Sequence, residues 1–297
     1  MKTNIKQLVK IAVQGRVANA MRFSPFELDS DGKPHAVPSV GGITYNVKVG
    51  DPAFGWAGDH IEPCVSCTLD EQNRNNKQAQ AFQFLPCVGN EAVVVSGGAK
   101  GAKGTVTGHH GGVEHLTVDF ADRDLRKMTL DDKVLVRAYG QGLQLTDYPH
   151  IKTYNLDPAV LGKLGIKAES SGGLSVPVTA LVPGALMGSG IGHADPGTGD
   201  YDITTQDPGL VKKHGLDKIR LGDLVALMDC DNTLGRHFYT GAVTIGIVIH
   251  SDSVISGHGP GVATLISTRK KGMLQPVIRS TANIGRILKI GRYREKN

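Results

Sequence analysis

Imidazole and carboxylate side chains are concentrated in the segment GHADPGTGDYDI, residues 192–203. Asp195 precedes a proline and a glycine, which is typical of an ordinary β-turn, so we expect a turn residue there. Asp200 and Asp202 alternate with one tyrosine, so in a strand their carboxylates share a face, about 7 Å apart. Such a pair can bind a cation or divide the roles of acid and base; the alternative is that both only cap turns. We predict that His193, Asp200 and Asp202 are catalytic, and that His193 and Asp200 also bind metal.

A second segment of this kind is HSDSVISGHGPG, residues 250–261. We predict that His250 binds a metal ion and that His258 is catalytic. The glycines around His258 allow the backbone to approach a ligand closely, or to form an anion-binding nest of successive N–H groups. The alternative is a structural turn between two strands.

Two further polar segments lie where strands are expected to begin or end: DHIEP, residues 59–63, and MDCDNTLGRH, residues 228–237. His60 and Glu62 share a strand face, and we predict that both bind metal; the alternative is an exposed, solvated loop. The two aspartates of the other segment could complete the site. Imidazole nitrogen and carboxylate oxygen suit a divalent cation such as zinc or manganese.

The cysteines indicate no second site. Four cysteines are too few for a disulfide scaffold in 297 residues, which favours a reducing compartment. Cys64 and Cys67 form one CxxC pair, and no second pair is present to complete a four-cysteine zinc site. The sequence also lacks a GxxxxGK phosphate loop, a GxSxG elbow and a dinucleotide fingerprint, so we expect no nucleotide cofactor.

The elements that must position these residues are predicted to be short strands. Of the 297 residues, 39 are glycine and 40% are hydrophobic, and β-branched runs such as EAVVVSG and GAVTIGIVIH recur. Two short helices are predicted where Asp-Pro begins LDPAVLGKLG and DPGLVKKHGL. We therefore expect a mainly β fold of two β-rich domains, residues 1–150 and 151–297, with the second carrying most of the site.

Residues 89–120, GNEAVVVSGGAKGAKGTVTGHHGGVEHLTVDF, predict a three-stranded meander joined by glycine turns. The segment resembles the KOW-type motif of small β-barrels, which implies a barrel in the N-terminal half and, as in ribosomal and transcription proteins, contact with RNA. Few basic or aromatic residues accompany it, which favours a purely structural barrel. We interpret His109, His110 and His115 as solvated turn residues.

The net charge of +5 permits contact with anions without requiring nucleic acid, because lysine and arginine are scattered. A small molecule is therefore favoured over nucleic acid as the partner. Lysine and arginine interrupt the apolar residues of the N-terminal MKTNIKQLVKIAVQGR, and no run of about 20 apolar residues predicts a membrane span. We expect a soluble, cytoplasmic homo-oligomer.

The motifs DHIEPCVS, KVLVRAYGQG, GDYDI, IRLGDLVALMD and GHGPGV occur together in this chain. On these motifs it is identified as a member of a bacterial and archaeal family known only as a domain of unknown function, with an N-terminal and a C-terminal part. The resemblance spans nearly the whole chain. It implies a division near residue 150 and no established activity.

A local resemblance does imply an activity. Residues 184–202, GALMGSGIGHADPGTGDYD, are similar to the acetamidase and formamidase motif GAxLxxGDxHAxQGDGE. That family hydrolyses small amides on a β-rich scaffold with metal ions, and the resemblance gives site roles to His193 and Asp200. Two aspartates of the motif are replaced, by Ile191 and Thr198.

These patterns lead to two hypotheses of different classes. The first is a metal-dependent hydrolase of a small amide or a related C–N bond, using zinc or manganese. The alternative is a non-catalytic protein that binds a metabolite, an anion or RNA. The hydrolase hypothesis requires the four polar segments to converge in space.

Overall fold

The computed structural model describes residues 1–22, 24–70, 73 and 76–295, and most of its regular structure is extended. The strands, in chain order, are β1 (Ile11–Val17), β2 (Glu27–Leu28), β3 (Pro34–His35), β4 (Ile43–Thr44), β5 (Cys64–Thr68), β6 (Glu91–Val94), β7 (Lys103–His110), β8 (His115–Asp119), β9 (Lys133–Ala138), β10 (Lys152–Thr153), β11 (Lys167–Ala168), β12 (Leu174–Val178), β13 (Ala180–Pro183), β14 (Tyr201–Asp202), β15 (Leu224–Asp231), β16 (His237–Val248), β17 (Gly261–Thr268) and β18 (Leu274–Ile278).

The helices are short. In chain order they are α1 (Lys77–Phe84), α2 (Asp122–Leu125), α3 (Pro158–Leu161), α4 (Pro208–Lys213) and α5 (Ile284–Leu288), with 3-10 turns at Ile5–Gln7, Gly184–Leu186, Leu216–Lys218 and Gly291–Tyr293. α3 and α4 begin at the two Asp-Pro pairs. The side chains of Asp157 and Asp207 each accept a hydrogen bond from a backbone N–H in the first turn, which caps the helix. The prediction of a mainly β fold with few short helices is confirmed.

Six strands of the N-terminal half close into a barrel. Antiparallel pairing runs in the order β1-β9-β6-β7-β8-β5, and the pairing of Arg16 with Thr68 returns β5 to β1. The strands β6, β7 and β8 are the meander predicted within residues 89–120. The prediction of a small barrel in this half is therefore confirmed, and closure removes the free strand edges that would otherwise invite aggregation.

The barrel interior is apolar, and helix α1 packs against it. The buried residues include Val65, Cys67, Val106, Leu116, Val118, Phe120 and Val134. Gly15 on β1 makes room for the helix, because a Cβ atom there would lie 2.5 Å from the ring of Phe82. Full burial of a phenylalanine side chain such as that of Phe82 stabilises the fold by roughly 1.5–3 kcal/mol.

A second sheet, which we call the central sheet, lies in the C-terminal half. Its strand order is β10-β17-β16-β15-β13, with β14 paired to β17, and β13 and β15 run parallel. Apolar clusters cover both faces. On β15, Leu224 and Ala226 belong to one cluster, and Val225 and Leu227 to the other. Burial of both faces explains why these strands are nearly continuous apolar runs in the sequence.

Of the remaining strands, β4 pairs with β5 at the edge of the barrel sheet, β11, β12 and β18 form a three-stranded sheet, and β2 and β3 form a small hairpin. The end of the described chain returns to the N-terminal half. There the guanidinium group of Arg292 pairs with Asp51, and that of Arg294 pairs with Asp119. These ion pairs tie the end of the described chain to the N-terminal half.

The barrel and the central sheet are in direct contact beside β7. A Cβ atom on Gly108 would lie 2.3 Å from the side chain of Ile249. Gly111 and Gly199 also touch, since a Cβ atom on Gly199 would lie 2.6 Å from Cα of Gly111. Gly199 has φ of +63°, in the left-handed region that favours glycine. Glycine thus lets the two halves approach closely at this junction.

Within the part of the chain that the structure describes, no helix has the length and apolar character needed to cross a membrane. The cytoplasmic location, the homo-oligomeric state and the domain boundary at residue 150 stay predictions.

Candidate metal centre

Two groups of side chains that could ligate metal lie at the junction of the barrel and the central sheet. We call them the outer triad, which is partly exposed, and the inner triad, which is fully buried. The outer triad consists of His60, Asp202 and His258, and the inner triad consists of His110, Asp200 and His250. Within each triad the candidate ligand atoms lie within 4.8 Å of one another. His60 and His110 come from the N-terminal half, and the other four residues come from the C-terminal half.

In the outer triad, Asp202 faces two imidazole rings. Its Oδ2 atom lies 2.9 Å from Nδ1 of His258 and 3.4 Å from Nε2 of His60. The two imidazole nitrogens are themselves 3.1 Å apart. Two nitrogens and one carboxylate oxygen around a single point form a ligand set that suits a divalent cation. The side chain of His258 is 32% exposed, so this triad can be reached from outside.

In the inner triad, Nε2 of His250 lies 2.9 Å from Oδ2 of Asp200. Both atoms are buried, yet neither makes a hydrogen bond of acceptable angle with any residue that the structure describes. The ring of His110 lies 4.2 Å from that of His250, measured between centroids. Because buried polar atoms normally have partners, this orphaned pair beside a third ligand fits a cation held among them.

Asp202 connects the two triads. Its Oδ2 atom belongs to the outer triad, whereas its Oδ1 atom lies 3.5 Å from Nε2 of His250 in the inner triad. A carboxylate that spans two ligand sets is the arrangement found in two-metal sites, where the ions lie roughly 3.5–4 Å apart. Asp200 also contacts His250, so both carboxylates point to one place. The prediction that Asp200 and Asp202 share a face is confirmed.

Three of the four histidines are oriented by an acceptor on the ring nitrogen that faces away from the triads. The pairs are His60 Nδ1 donating to Asp59 (2.6 Å), His110 Nδ1 donating to Glu62 (2.7 Å) and His250 Nδ1 donating to the carbonyl of Ser251 (2.8 Å). Since carboxylates and carbonyls only accept, Nδ1 carries the proton and Nε2 is left for a metal ion. Such acceptors fix the ring and raise its basicity as a ligand.

His60 is held in an uncommon backbone conformation. Its φ is +52°, in the left-handed region, which costs a non-glycine residue about 1–3 kcal/mol and is concentrated at functional sites. The backbone N–H of His60 donates to the carbonyl of Asp252 at 3.2 Å. The carboxylate of Asp59 accepts from Oγ of Ser253 at 2.7 Å. The segment that carries His60 is therefore fastened to the segment that carries His250 and His258.

Gly261 leaves the space that the inner triad occupies. A Cβ atom on this residue would lie 1.9 Å from Oδ2 of Asp200 and 2.2 Å from Nε2 of His250. Gly261 is also the partner of Asp202 in the pairing of β14 with β17. Gly261 thus makes room for the side chains of Asp200 and His250, while the close approach to a bound ligand predicted for the glycines of this segment stays a prediction.

Glu62 is fully buried and supports the inner triad from behind. Its carboxylate accepts from Nδ1 of His110 and of His115, from the backbone N–H of Gly41 and from Oγ of Ser66. Burial alone would raise the pKa of Glu62, but the two adjacent histidines hold that pKa well below its usual value. Glu62 is thus an ionised acceptor that fixes His110.

In the triads, the carboxylates favour the protonated form of the histidines, and the histidines favour the ionised form of the carboxylates. Burial opposes ionisation of Asp202, but close contact with three histidines, led by His250, holds its pKa well below the usual value. Burial also opposes protonation of His250, yet contact with Asp200 and Asp202 raises the pKa of this histidine well above its usual value. The site therefore favours a positive charge at Nε2 of His250, whether a proton or a metal ion supplies it.

A cavity of about 340 Å³ opens onto both triads. Ligands of each triad line it, together with the apolar side chains of Val40, Val113 and Ile255. His193 also lines this cavity; it is exposed, and its Nδ1 lies 2.9 Å from the carbonyl oxygen of Asp195. The volume is that of a pocket for a small molecule.

Most of the predicted site residues lie together. The residues found in the triads are His60, Asp200, Asp202, His250 and His258. Glu62 and His193 lie in neither triad, and the catalytic role of His193 and the metal-binding roles of both residues stay predictions. Asp195 is the turn residue predicted from its context, because its side chain accepts from the N–H of Gly197 and the hydroxyl of Thr198.

The interpretation of His109, His110 and His115 as solvated turn residues is wrong. All three are buried, at the end of β7 and the start of β8. The contact between the barrel and the central sheet covers this end of β7, which places His110 in the inner triad. The sequence signal that could have indicated a site role for His110 was the density of histidines beside one turn, at the end of a predicted strand.

Two other sequence candidates lie outside the triads. The carboxylate of Asp231 accepts from Thr233 and pairs with Arg269, and that of Asp229 accepts from the N–H of Gly241. All four cysteines are buried free thiols. Burial raises the pKa of the Cys64 and Cys67 thiols, which keeps them protonated and unreactive at neutral pH.

Comparison with known proteins leaves the activity open. The model of a domain of unknown function, DUF4438, N-terminal, matches residues 26–162, and that of its C-terminal counterpart matches residues 163–288. Neither is a model of the acetamidase and formamidase family, and no curated protein matches the chain. The crystal structure of TM1086 is similar, with a TM-score of 0.89 and 44% sequence identity over 96% of this chain and 98% of that one.

Proposed function

The chain belongs to the DUF4438 family, and we propose that it is a metal-dependent hydrolase of a small amide or a related C–N bond. The observation that carries this proposal is the convergence of the outer and inner triads on Asp202 beside one cavity. We propose zinc or manganese as the metal, because imidazole and carboxylate are ligands for these ions.

Two divalent ions in the triads would lower the pKa of a water molecule and polarise the carbonyl group of an amide. The residues of the two triads would hold these ions. Asp202, which contributes one oxygen to each triad, would take part in both metal positions. Asp59 and Glu62 keep the protons of His60 and His110 on Nδ1, so that Nε2 stays free to bind metal.

His193 is the candidate for proton transfer to the leaving nitrogen. Hydrolysis of an amide breaks the C–N bond, adds the hydroxyl group of water to the carbonyl carbon and adds the remaining proton to the nitrogen. His193 lines the cavity and is not needed in either triad, so its ring is available for that proton transfer.

The size and lining of the cavity favour a small substrate. A volume of about 340 Å³ is near the lower end of ligand pockets, which span roughly 300–1,000 Å³. Val40, Val113 and Ile255 line the same cavity and offer apolar contacts for the acyl part of an amide.

Metal analysis and turnover test the proposal together. We expect about two zinc or manganese ions per chain, removable by chelator, with a rise in Tm when metal is returned to the stripped protein. We expect the loaded protein to release ammonia from formamide or acetamide, and the stripped protein to release none. His110→Ala should lower both metal content and turnover. His150→Ala, at an exposed histidine outside both triads, is the matched control and should lower neither.

Two results would contradict the proposal. One is a purified protein that binds no stoichiometric divalent metal. The other is a metal-loaded protein that hydrolyses no C–N bond in a panel of small amides. Binding of RNA whose affinity falls steeply with salt would then support the non-catalytic alternative.

A further inference from the structure

The buried guanidinium group of Arg236 lies in the wall of the cavity that opens onto both triads. The residue is 2% exposed, and it lines the cavity next to the inner triad. Arginine remains charged in proteins, so a full positive charge is buried there. A charge removed from water is costly unless a partner of opposite charge accompanies it.

Among the residues that the structure describes, no carboxylate forms a direct ion pair with Arg236. Nη1 donates to the backbone carbonyl of Asp200, and Nη2 donates to the carbonyl of Thr198 at 2.6 Å. Burial lowers the pKa of the guanidinium, and the charges of Asp200, Asp195 and Asp202 act against that effect from a longer distance. The guanidinium therefore donates to neutral acceptors, and its positive charge has no direct carboxylate partner.

The hydrogen-bonding capacity of Arg236 is also only partly used. A guanidinium group has five N–H donors, and the two carbonyl contacts use one each on Nη1 and Nη2. Nε has no partner among the described residues. A buried, charged donor group with spare N–H bonds in the wall of a cavity is the arrangement that recognises a carboxylate.

We propose that Arg236 forms an anion subsite and that the substrate is an amide that carries a carboxylate, the class of N-acyl amino acids. This inference rests on the proposed hydrolase function and names its substrate class. The carboxylate of the substrate pairs with the guanidinium at the wall of the cavity, and this contact leaves the amide group for the two triads. Arg236 is then a specificity-determining residue, and its contacts to the carbonyls of Thr198 and Asp200 hold the guanidinium in place.

The test compares two probes that differ at the carboxyl group, N-acetylglycine and its neutral carboxamide analogue N-acetylglycinamide. Their binding to the metal-loaded protein is measured by calorimetry, and cleavage of the acetyl–nitrogen bond is measured in parallel as release of acetate. We expect the wild-type protein to bind N-acetylglycine at least about tenfold more tightly, as a charge-assisted pair predicts. Equal binding of the two probes by the wild-type protein would overturn the inference, and that comparison needs no variant.

Arg236→Met and Arg236→Lys separate a subsite from a structural role. We expect Arg236→Met to lose the preference for the charged probe, with metal content and affinity for N-acetylglycinamide unchanged, and Arg236→Lys to keep part of the preference. A preference that persists in Arg236→Met would show that the carboxylate binds elsewhere, for example to the metal ions. If Arg236→Met loses affinity for both probes equally, Arg236 has a structural role only. Either result overturns the inference.

The outcomes for function and for the subsite are distinguishable. If the loaded protein binds and hydrolyses N-acetylglycinamide as well as it does N-acetylglycine, the proposed function stands and the inference fails. If it hydrolyses neither probe but binds N-acetylglycine through Arg236, the proposed function fails and the anion subsite stands.

Discussion

One carboxylate oxygen of Asp202 lies 3.5 Å from Nε2 of His250, while the other faces the outer triad. This contact makes the two triads one centre instead of two separate sites. Loss of the charge on Asp202 should therefore affect both metal positions, whereas loss of the charge on Asp200 should affect one.

Asp202→Asn should bind almost no metal, and Asp200→Asn should retain about one ion per chain, because an amide oxygen is a weaker, neutral ligand. Elemental analysis of the purified variants after dialysis measures both values. Two ions retained in Asp202→Asn would show that this residue does not bridge the triads.

Glu62→Gln should weaken metal binding in the inner triad by about 10–100-fold, because Glu62 fixes the ring of His110. Competition with a chromophoric chelator measures the affinity. Glu91→Gln is the matched control, since Glu91 pairs with Lys103 and Arg137 outside the site. Equal affinities in the two variants would exclude a positioning role for Glu62.

Gly261→Ala should lose the inner metal ion, because the added Cβ atom would lie 1.9 Å from Oδ2 of Asp200. We also expect overpacking to cost about 1–3 kcal/mol and to lower Tm by several degrees. Gly162→Ala is the control, since Gly162 has a helical φ of −64° and its Cβ atom would lie no nearer than 3.7 Å to other atoms. Full metal content in Gly261→Ala would contradict the geometry of the inner triad.

His193→Ala should keep the full metal content and lose catalytic rate, by about 100-fold or more if this histidine transfers the proton. We expect metal content and catalytic rate to respond differently because His193 lines the cavity but lies in neither triad. Elemental analysis and kcat, measured on one preparation, test this. A fall in metal content would instead make His193 a ligand, as the sequence also predicted.

Asp231 should contribute stability that depends on pH. Burial would raise the pKa of this carboxyl, but hydrogen bonds from Thr233 and Arg269 outweigh burial and lower it. The unfolded chain therefore binds the proton more readily, so the contribution is complete above the unfolded pKa and is lost as pH falls through the lowered folded pKa. Asp231→Asn should cost about 1–3 kcal/mol at pH 7, and the difference from wild type should shrink below about pH 4. Denaturant unfolding at several pH values measures this, and a difference independent of pH would contradict it.

The parts of the site that the sequence could predict depend on short-range patterns. The alternation of Asp200 and Asp202 follows from the period of a strand, and it holds in the structure. The density of polar residues in strand-flanking segments singled out His250 and His258, which the structure places in the two triads, while their roles stay predictions. His110 was missed because its burial depends on which end of β7 the central sheet covers, and no local pattern encodes that contact.

The role of Glu62 was beyond sequence reasoning for a similar reason. The alternation of His60 and Glu62 predicted that both face one site. In the structure, Glu62 instead accepts hydrogen bonds from His110 and His115, which follow it by about 50 residues. Likewise, the crowding of Gly261 against Asp200 depends on the pairing of β14 with β17, elements far apart in the chain. Only tertiary packing decides which of several suitable ligands become neighbours.

Because the candidate ligands are divided between the two halves, a metal ion bound to either triad would also stabilise the contact between the halves. Neither half holds a complete triad, since His60 and His110 come from one and the remaining ligands from the other. Ions that bind only the docked arrangement stabilise it by mass action, by about 2.7 kcal/mol per site at a free concentration 100 times Kd. The supply of metal in the cell would therefore set how firmly the barrel stays docked against the central sheet, as well as whether the chemistry can run.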